Sequence, residues 1–198
     1  MSRLELFAAV VGALSVFLSA RQSLWAWPTA IVNVVSYAVV FFGAKLYADM
    51  GLQVVYFALS LYGWYEWLYG GENRTELHVS RVTRALGLKL LLIGLASAAL
   101  LGTILARLTD ASLPYLDSAT TSTSLVAQWM MTRKLLENWL VWIAVDLVYV
   151  PVFLSRGLHV TAALYAVFLA LAIGGWIAWR RDWRAQHAAG IAAAPQPA

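Results

Sequence analysis

Residues 21–46 read RQSLWAWPTAIVNVVSYAVVFFGAKL, and residues 133–158 read RKLLENWLVWIAVDLVYVPVFLSRGL. A displacement of 112 residues, without gaps, lays the first on the second. It matches Arg21 to Arg133, Trp27 to Trp139, Tyr37 to Tyr149, Phe41 to Phe153 and Leu46 to Leu158. The register continues outward to Leu52 and Leu164, Gly63 and Gly175, Trp64 and Trp176, and Trp67 and Trp179. Leu, Val and Ala pairs arise by chance in apolar stretches and weigh little. Trp pairs in one register with Arg, Tyr and Gly pairs do not, so the chain reads as a tandem duplication.

The duplicated blocks are apolar. Of 198 residues, 62% are hydrophobic and 12% are charged, against roughly 25% charged in an average soluble domain. A soluble globule of this size needs more charge to cover its surface. About 20 apolar residues cross roughly 30 Å of hydrocarbon. Lipid cannot satisfy backbone polar groups, so such blocks must be helices. Seven spans are predicted, at about 4–20, 25–43, 50–69, 84–106, 117–132, 135–154 and 158–179. The first could imitate a signal peptide, with Arg3 before it and small residues at its end. The repeat needs this helix, so it is read as a span.

The expected fold class is an all-α integral membrane protein with its helices in a 3+1+3 parallel-repeat arrangement. Residues 1–69 form the first three-helix repeat, 70–112 a loop and linker helix, and 113–182 the second repeat. The tail, 183–198, is rich in Ala, Pro and Gln and is expected to be disordered. Three helices plus one is an even number of crossings, so the copies share one orientation. Parallel repeats are a known transporter plan, with substrate sites near the midplane between them. Pro28 sits in the first turn of the second helix, where its missing N–H costs little. Pro151 is expected to kink or break the sixth.

The net charge of +4 lies in the loops, where it reads as topology rather than nucleic-acid binding. Ten basic residues fall on one side: Arg21, Arg74, Arg81, Arg84, Lys89, Arg133, Lys134, Arg180, Arg181 and Arg184. Arg3, Lys45, Arg107 and Arg156 fall on the other. The first side is therefore expected to be cytoplasmic, with the N-terminus out and the C-terminus in. The chain has no Cys, and His78, His159 and His187 lie at helix ends or in the tail. No metal site and no cofactor are expected. A homo-oligomer is compatible with the sequence, which does not read out oligomeric state.

Polar groups at membrane depth are costly and default to functional candidates. In the sixth helix Trp139, Trp142, Asp146 and Tyr149 share one face. A carboxylate between aromatic rings suits an organic cation. Asp117, Thr121, Ser124 and Gln128 share a face of the fifth helix and are expected to line a wet cavity. The second helix offers Asn33, Ser36 and Tyr37, and the third Gln53, Tyr56 and Ser60. Bland roles stand beside these. Trp25, Trp27, Trp64, Trp67, Trp176 and Trp179 fall near one predicted boundary and read as interface anchors. Membrane Ser and Thr, here Ser36, Ser60, Ser122 and Thr123, often only tie helices together. Asn138 fits a helix end.

Two runs resemble signatures of the PnuC family of vitamin transporters: LYADMGLQVVYFALSLYGWYEW at 46–67 and MTRKLLENWLVWIAVD at 131–146. Asp117–Ser118 and the polar fifth helix also fit. The resemblance covers all but the tail. It implies a bacterial inner-membrane facilitator with a helix plan similar to the SWEET sugar transporters. Such proteins take up nicotinamide riboside, with relatives taking thiamine or riboflavin, and a cytoplasmic vitamin kinase traps the product. Residues matching the family motifs are Gln53, Tyr56, Trp64, Asn138, Trp139 and Trp142. Asp146 departs from the uncharged Asn expected in a nicotinamide riboside carrier. An acid there suits a cation, either nicotinamide riboside or thiamine, better than riboflavin.

The candidate substrate-binding set is therefore Trp139, Trp142, Asp146, Asn138, Gln128, Gln53, Asn33, Tyr149, Tyr56 and Ser124. The Trp pair would stack the ring, Asp146 would face the charge, and Gln128, Asn33 and Gln53 would bond ribose or amide groups. Readings from other classes are a membrane enzyme and a non-transporting scaffold. The first lacks support, because the chain has no His–carboxylate cluster, Ser–His pairing or Gly-rich phosphate loop.

Overall fold

The apolar blocks are helices: α1 (Arg3–Ala20), α2 (Ala26–Gly43), α3 (Tyr47–Tyr69), α4 (Arg84–Leu108), α5 (Pro114–Thr132), α6 (Asn138–Ser155) and α7 (His159–Ala193). The structure, a computed structural model, describes residues 3–43, 45, 47–109 and 113–193. Leu46, matched to Leu158 in the repeat, lies outside the described residues. By length and composition α1, α2, α4, α6 and residues 159–188 of α7 can cross a membrane. Helices α3 and α5 are more polar, carrying Asp49, Gln53 and Glu66 or the run DSATTSTS. They pack against each other. Large apolar side chains such as Val10, Phe42, Leu91, Leu100, Leu147 and Val160 are more than half exposed. Soluble monomers do not show so many, whereas lipid covers them.

Each three-helix run packs in chain order, α1 on α2 on α3 and α5 on α6 on α7. The runs meet reciprocally, α1 on α7 and α3 on α5, with α4 against α5. One end of the bundle holds four indoles. Trp27 meets Trp67 edge-on at 5.2 Å and 86°, and Trp139 meets Trp179 at 5.4 Å and 88°. Trp67 and Trp179 join the two pairs at 5.9 Å. The indole N–H of Trp67 donates to Met131 O at 3.0 Å, and that of Trp179 donates to Ser19 O at 3.1 Å. These donors and acceptors stand 112 residues apart, so each run's third helix is bonded to the end of the other's first. Since α1, α3 and α5 end at this tetrad, α7 runs out through it, and α2 and α6 begin there, the two runs point the same way.

The backbone repeats as well. Gln22 and Lys134 both have positive φ (54° and 46°), as do Lys45 and Gly157 (60° and 72°). Ser23 N donates to Leu18 O at 2.9 Å, and Leu135 N donates to Met130 O at 3.0 Å. Tyr37 stacks on Phe41 as Tyr149 stacks on Phe153. A side chain on Gly63 would run into the Trp27 ring, and one on Gly175 into the Trp139 ring. Glycine is required at both by close approach.

Three expectations are corrected. Trp27, Trp67 and Trp179 are not interface anchors: they are at most 2% exposed and form the core with Trp139. Trp25 and Trp64, by contrast, are exposed at 71% and 37%. Trp27 turns inward because Gly63 admits its ring, while Trp67 and Trp179 are held inward by their indole hydrogen bonds. Of the kink or break expected at Pro151, the break does not occur: α6 continues to Ser155. Residues 183–193 are helical, not disordered. Ala, Arg and Gln favour helix, and extending α7 needs no new nucleus. Trp183 also stacks on His187 at 4.2 Å. Residues 194–198 lie outside the described residues.

Candidate functional site

The polar centre of the bundle is built around α6. Asp146, Tyr149 and Phe153 share a face by helical spacing, and Asp146 is only 3% exposed. The α6–α7 hairpin sets Trp139 against Gly175 at the tetrad end and Tyr149 against Tyr165 ten residues further in. The Tyr149 and Tyr165 rings lie 4.8 Å apart, and Phe153 closes on Tyr165 at 5.0 Å. Tyr149 faces Thr120 of α5, and Tyr56 of α3 faces Ser124 of α5. Tyr165 lies within electrostatic reach of Tyr37, Tyr56, Tyr149 and Asp146. The cluster thus draws on both runs: α2 and α3 from the first, α5, α6 and α7 from the second.

Among the described residues no hydrogen bond or ion pair reaches the Asp146 carboxylate. A buried ion without a partner costs several kcal/mol. Chemically, one carboxylate ringed by tyrosines can hold a small cation with an aromatic ring through charge and cation–π attraction.

Of the ten predicted residues, the structure brings Asp146, Tyr149, Tyr56 and Ser124 into this cluster. Asn33 uses one amide N–H to donate to Ala8 O at 2.7 Å, tying α2 to α1 beside Gly12. Gln53 and Gln128 are half-buried. Trp139 and Asn138 sit at the tetrad, Trp139 about 10 Å along α6 from Asp146. Trp142 lies between and packs on the tetrad cluster. Asn138 donates to Leu135 O at 2.7 Å. Its Oδ1 and the adjacent Trp139 Nε1 are buried with no hydrogen-bond partner, as is Trp27 Nε1. Ser118 and Ser122, one turn apart on α5, are likewise unbonded. The expected wet face through Asp117, Thr121, Ser124 and Gln128 is thus shifted, because Ser118, Thr120, Ser122 and Ser124 are the buried set.

Sequence reading missed Tyr165 and Thr120 and left Tyr37 unassigned. Tyr165 stands in the apolar run LYAVFLALA and reads there as core. The antiparallel register of the repeat carries the missing signal. A hairpin that sets Trp139 on Gly175 must set Tyr149 on Tyr165, and by the same rule Tyr37 against Gln53.

Charge outside the spans gathers at the tetrad end. Arg133 pairs with Glu66 at 2.7 Å and bonds Tyr62 Oη at 3.2 Å. Lys134, 6% exposed, places its ammonium 4.6 Å from the Trp67 ring. Burial pushes this ammonium below the usual lysine range, and Glu76 opposes the shift. A recess of about 480 Å³ lies elsewhere, between α4, α5 and α6. Its walls are chiefly apolar, among them Leu91, Leu95, Val126 and Leu140, and include none of the ten candidates.

A helical bundle with lipid-facing sides and an inward carboxylate among tyrosines defines a multi-pass membrane transporter. Comparison places it further. Residues 2–181 match the family described as nicotinamide mononucleotide transporter, and the chain belongs to that family. It is similar to the nicotinamide riboside transporter PnuC of Escherichia coli (strain K12), 26% identical over 90% of this chain and 85% of that one. It is 30% identical to the riboflavin/roseoflavin transporter RibM of Streptomyces davaonensis, over 91% and 87%. A crystal structure of the vitamin B3 transporter PnuC matches with a TM-score of 0.71 at 26% identity, over 90% of this chain and 80% of that one. The chain is accordingly a vitamin transporter and not an enzyme.

Proposed function

We propose that this protein is a facilitative transporter taking up nicotinamide riboside across the bacterial inner membrane, N-terminus outside and C-terminus inside. A cytoplasmic kinase traps the vitamin by phosphorylation. The carrying observation is Asp146, buried beside Tyr149 and Tyr165 and, among the described residues, without a hydrogen bond or ion pair. Nicotinamide riboside joins a positive charge to an aromatic ring, the chemistry this cluster complements; thiamine shares both features. In this reading Asp146 faces the charge and the tyrosines flank the ring, with Tyr56, Ser124 and Gln53 toward ribose or amide groups. Asn138, Trp139 and Trp142 line the route toward the tetrad. Residues 1–69 and 113–182 act as two copies in a 3+1+3 plan, joined by 70–112. The 112-residue recurrence of turns and Trp bonds supports that division.

The test measures binding and proteoliposome uptake of nicotinamide riboside, thiamine and riboflavin side by side. Nicotinamide riboside is expected to bind tightest. Asp146→Asn is expected to weaken it tenfold or more, about 1.4 kcal/mol. An Asn variant that binds and moves the cation as well as the parent would sink the charge role. The likeness to RibM, at 30% identity, favours a second reading with riboflavin as substrate. Its ring system is uncharged, so that reading expects riboflavin to bind tightest and Asp146→Asn to leave binding intact.

A further inference from the structure

The tetrad end carries a second recess, of about 170 Å³, lined by Arg81, Leu136, Trp176, Arg180, Trp183 and Arg184. No carboxylate lines it. Arg81 is partly neutralised, since its Nε bonds Glu137 at 2.9 Å. Glu137 is fully engaged, because its other oxygen accepts from Val82 N at 2.9 Å. Arg180 and Arg184 stand one turn apart on α7, so like charges share a face, an arrangement that costs stability when nothing lies between them. The nearby acid, Asp182, points to the opposite face and accepts from Gln22 Nε2 at 2.6 Å. Among the described residues neither Arg180 nor Arg184 has an ion pair.

The indoles steer these cations. Arg81 lies over Trp183 at 5.4 Å and Arg180 over Trp176 at 5.9 Å. Leu136, 1% exposed, closes the floor. We infer that this recess, formed by Arg81, Arg180 and Arg184 between Trp176 and Trp183, binds a phosphate group. Guanidinium forks meet phosphate oxygens two at a time, which single-point cations do not. The space of about 170 Å³ equals roughly six liquid waters, enough for a phosphate. It lies where the apolar part of α7 gives way to RRDWR, the kind of basic boundary that anionic lipid headgroups attract. The phosphate therefore belongs either to an anionic lipid or to a small soluble anion.

The experiment reads Tm of the purified chain in nanodiscs, with two arms. One compares phosphatidylcholine alone with phosphatidylcholine plus phosphatidylglycerol. The other adds millimolar inorganic phosphate to phosphatidylcholine discs, against chloride at equal ionic strength. The parent is expected to gain a few degrees in at least one arm. A gain with phosphatidylglycerol alone assigns a lipid headgroup, and a gain with phosphate assigns a soluble anion. Arg180→Gln/Arg184→Gln is expected to lose the gain, while Arg181→Gln, outside the recess, keeps it. Should the double variant fail to fold, Arg184→Gln alone is expected to show a reduced gain. No gain in either arm overturns the site, as does a gain undiminished in the recess variants or equally lost in Arg181→Gln.

Discussion

At the scale of single residues, the tetrad rests on two glycines. Gly63 and Gly175 admit the Trp27 and Trp139 rings, and those rings are held by Trp67 and Trp179 and have nowhere to retreat. Gly63→Ala and Gly175→Ala are each expected to lower stability by about 1–3 kcal/mol, the cost of overpacking a core, read as comparable drops in Tm. Lys134 makes a pH prediction. Its folded pKa is lowered, so below that pKa the buried ammonium opposes folding. The unfolded chain then holds more protons than the folded one between the folded value and the ordinary 10.5, and stability rises with pH there. Thermal melts across the alkaline range should show that rise in the parent, and Lys134→Met should flatten it. The sequence did single out Asp146, because a carboxylate in an apolar helix is conspicuous. It misassigned Trp27, Trp67 and Trp179, because interface and core tryptophans look alike until the facing residue is known.

At the scale of elements, the segment from Gly70 to Val82 is strapped over the tetrad end. Ser80 N donates to Lys134 O at 3.1 Å and Leu136 N to Ser80 O at 2.8 Å, a short parallel bridge. Leu77 N donates to Trp67 O, and Val79 is buried. Glu137 is the pin, bonding Arg81 and Val82 across from the start of α6. Glu137→Ala removes a charge-assisted pair and is expected to cost about 1.5–3 kcal/mol. Hydrogen exchange should then speed up in residues 76–82 and at the start of α4, while α2 stays unchanged. An unchanged rate in 76–82 would show the strap to be held by its backbone bridge alone. None of this was legible beforehand: GGENRTE reads as a polar loop, and the strap's partners Lys134, Leu136 and Glu137 are more than fifty residues away.

At the scale of the molecule, the basic residues gather at the tetrad end, including Arg21, Arg81, Arg133 and Arg180. That end is expected to face the cytoplasm. Since the chain has no Cys, single cysteines report cleanly. Glu72→Cys is expected to react with a membrane-impermeant maleimide only after the cells are opened, and Tyr115→Cys in intact cells. The reverse pattern would invert the proposed orientation. The two indole bonds, Trp67 to Met131 and Trp179 to Ser19, tie the two runs to each other at this end.

Composition and periodicity alone determined the membrane class, the seven helices to within a few residues at most ends, the 112-residue repeat and the choice of Asp146 as a candidate. These follow from local physics: lipid forces helices, and apolar length sets the spans. Tertiary structure alone decided which tryptophans are core, that Asn33 bonds α1, that Tyr165 joins Asp146, and that three arginines share a recess. Each of these depends on the facing residue across a helix pair, and that is set by packing register rather than by the residue's own neighbours in sequence.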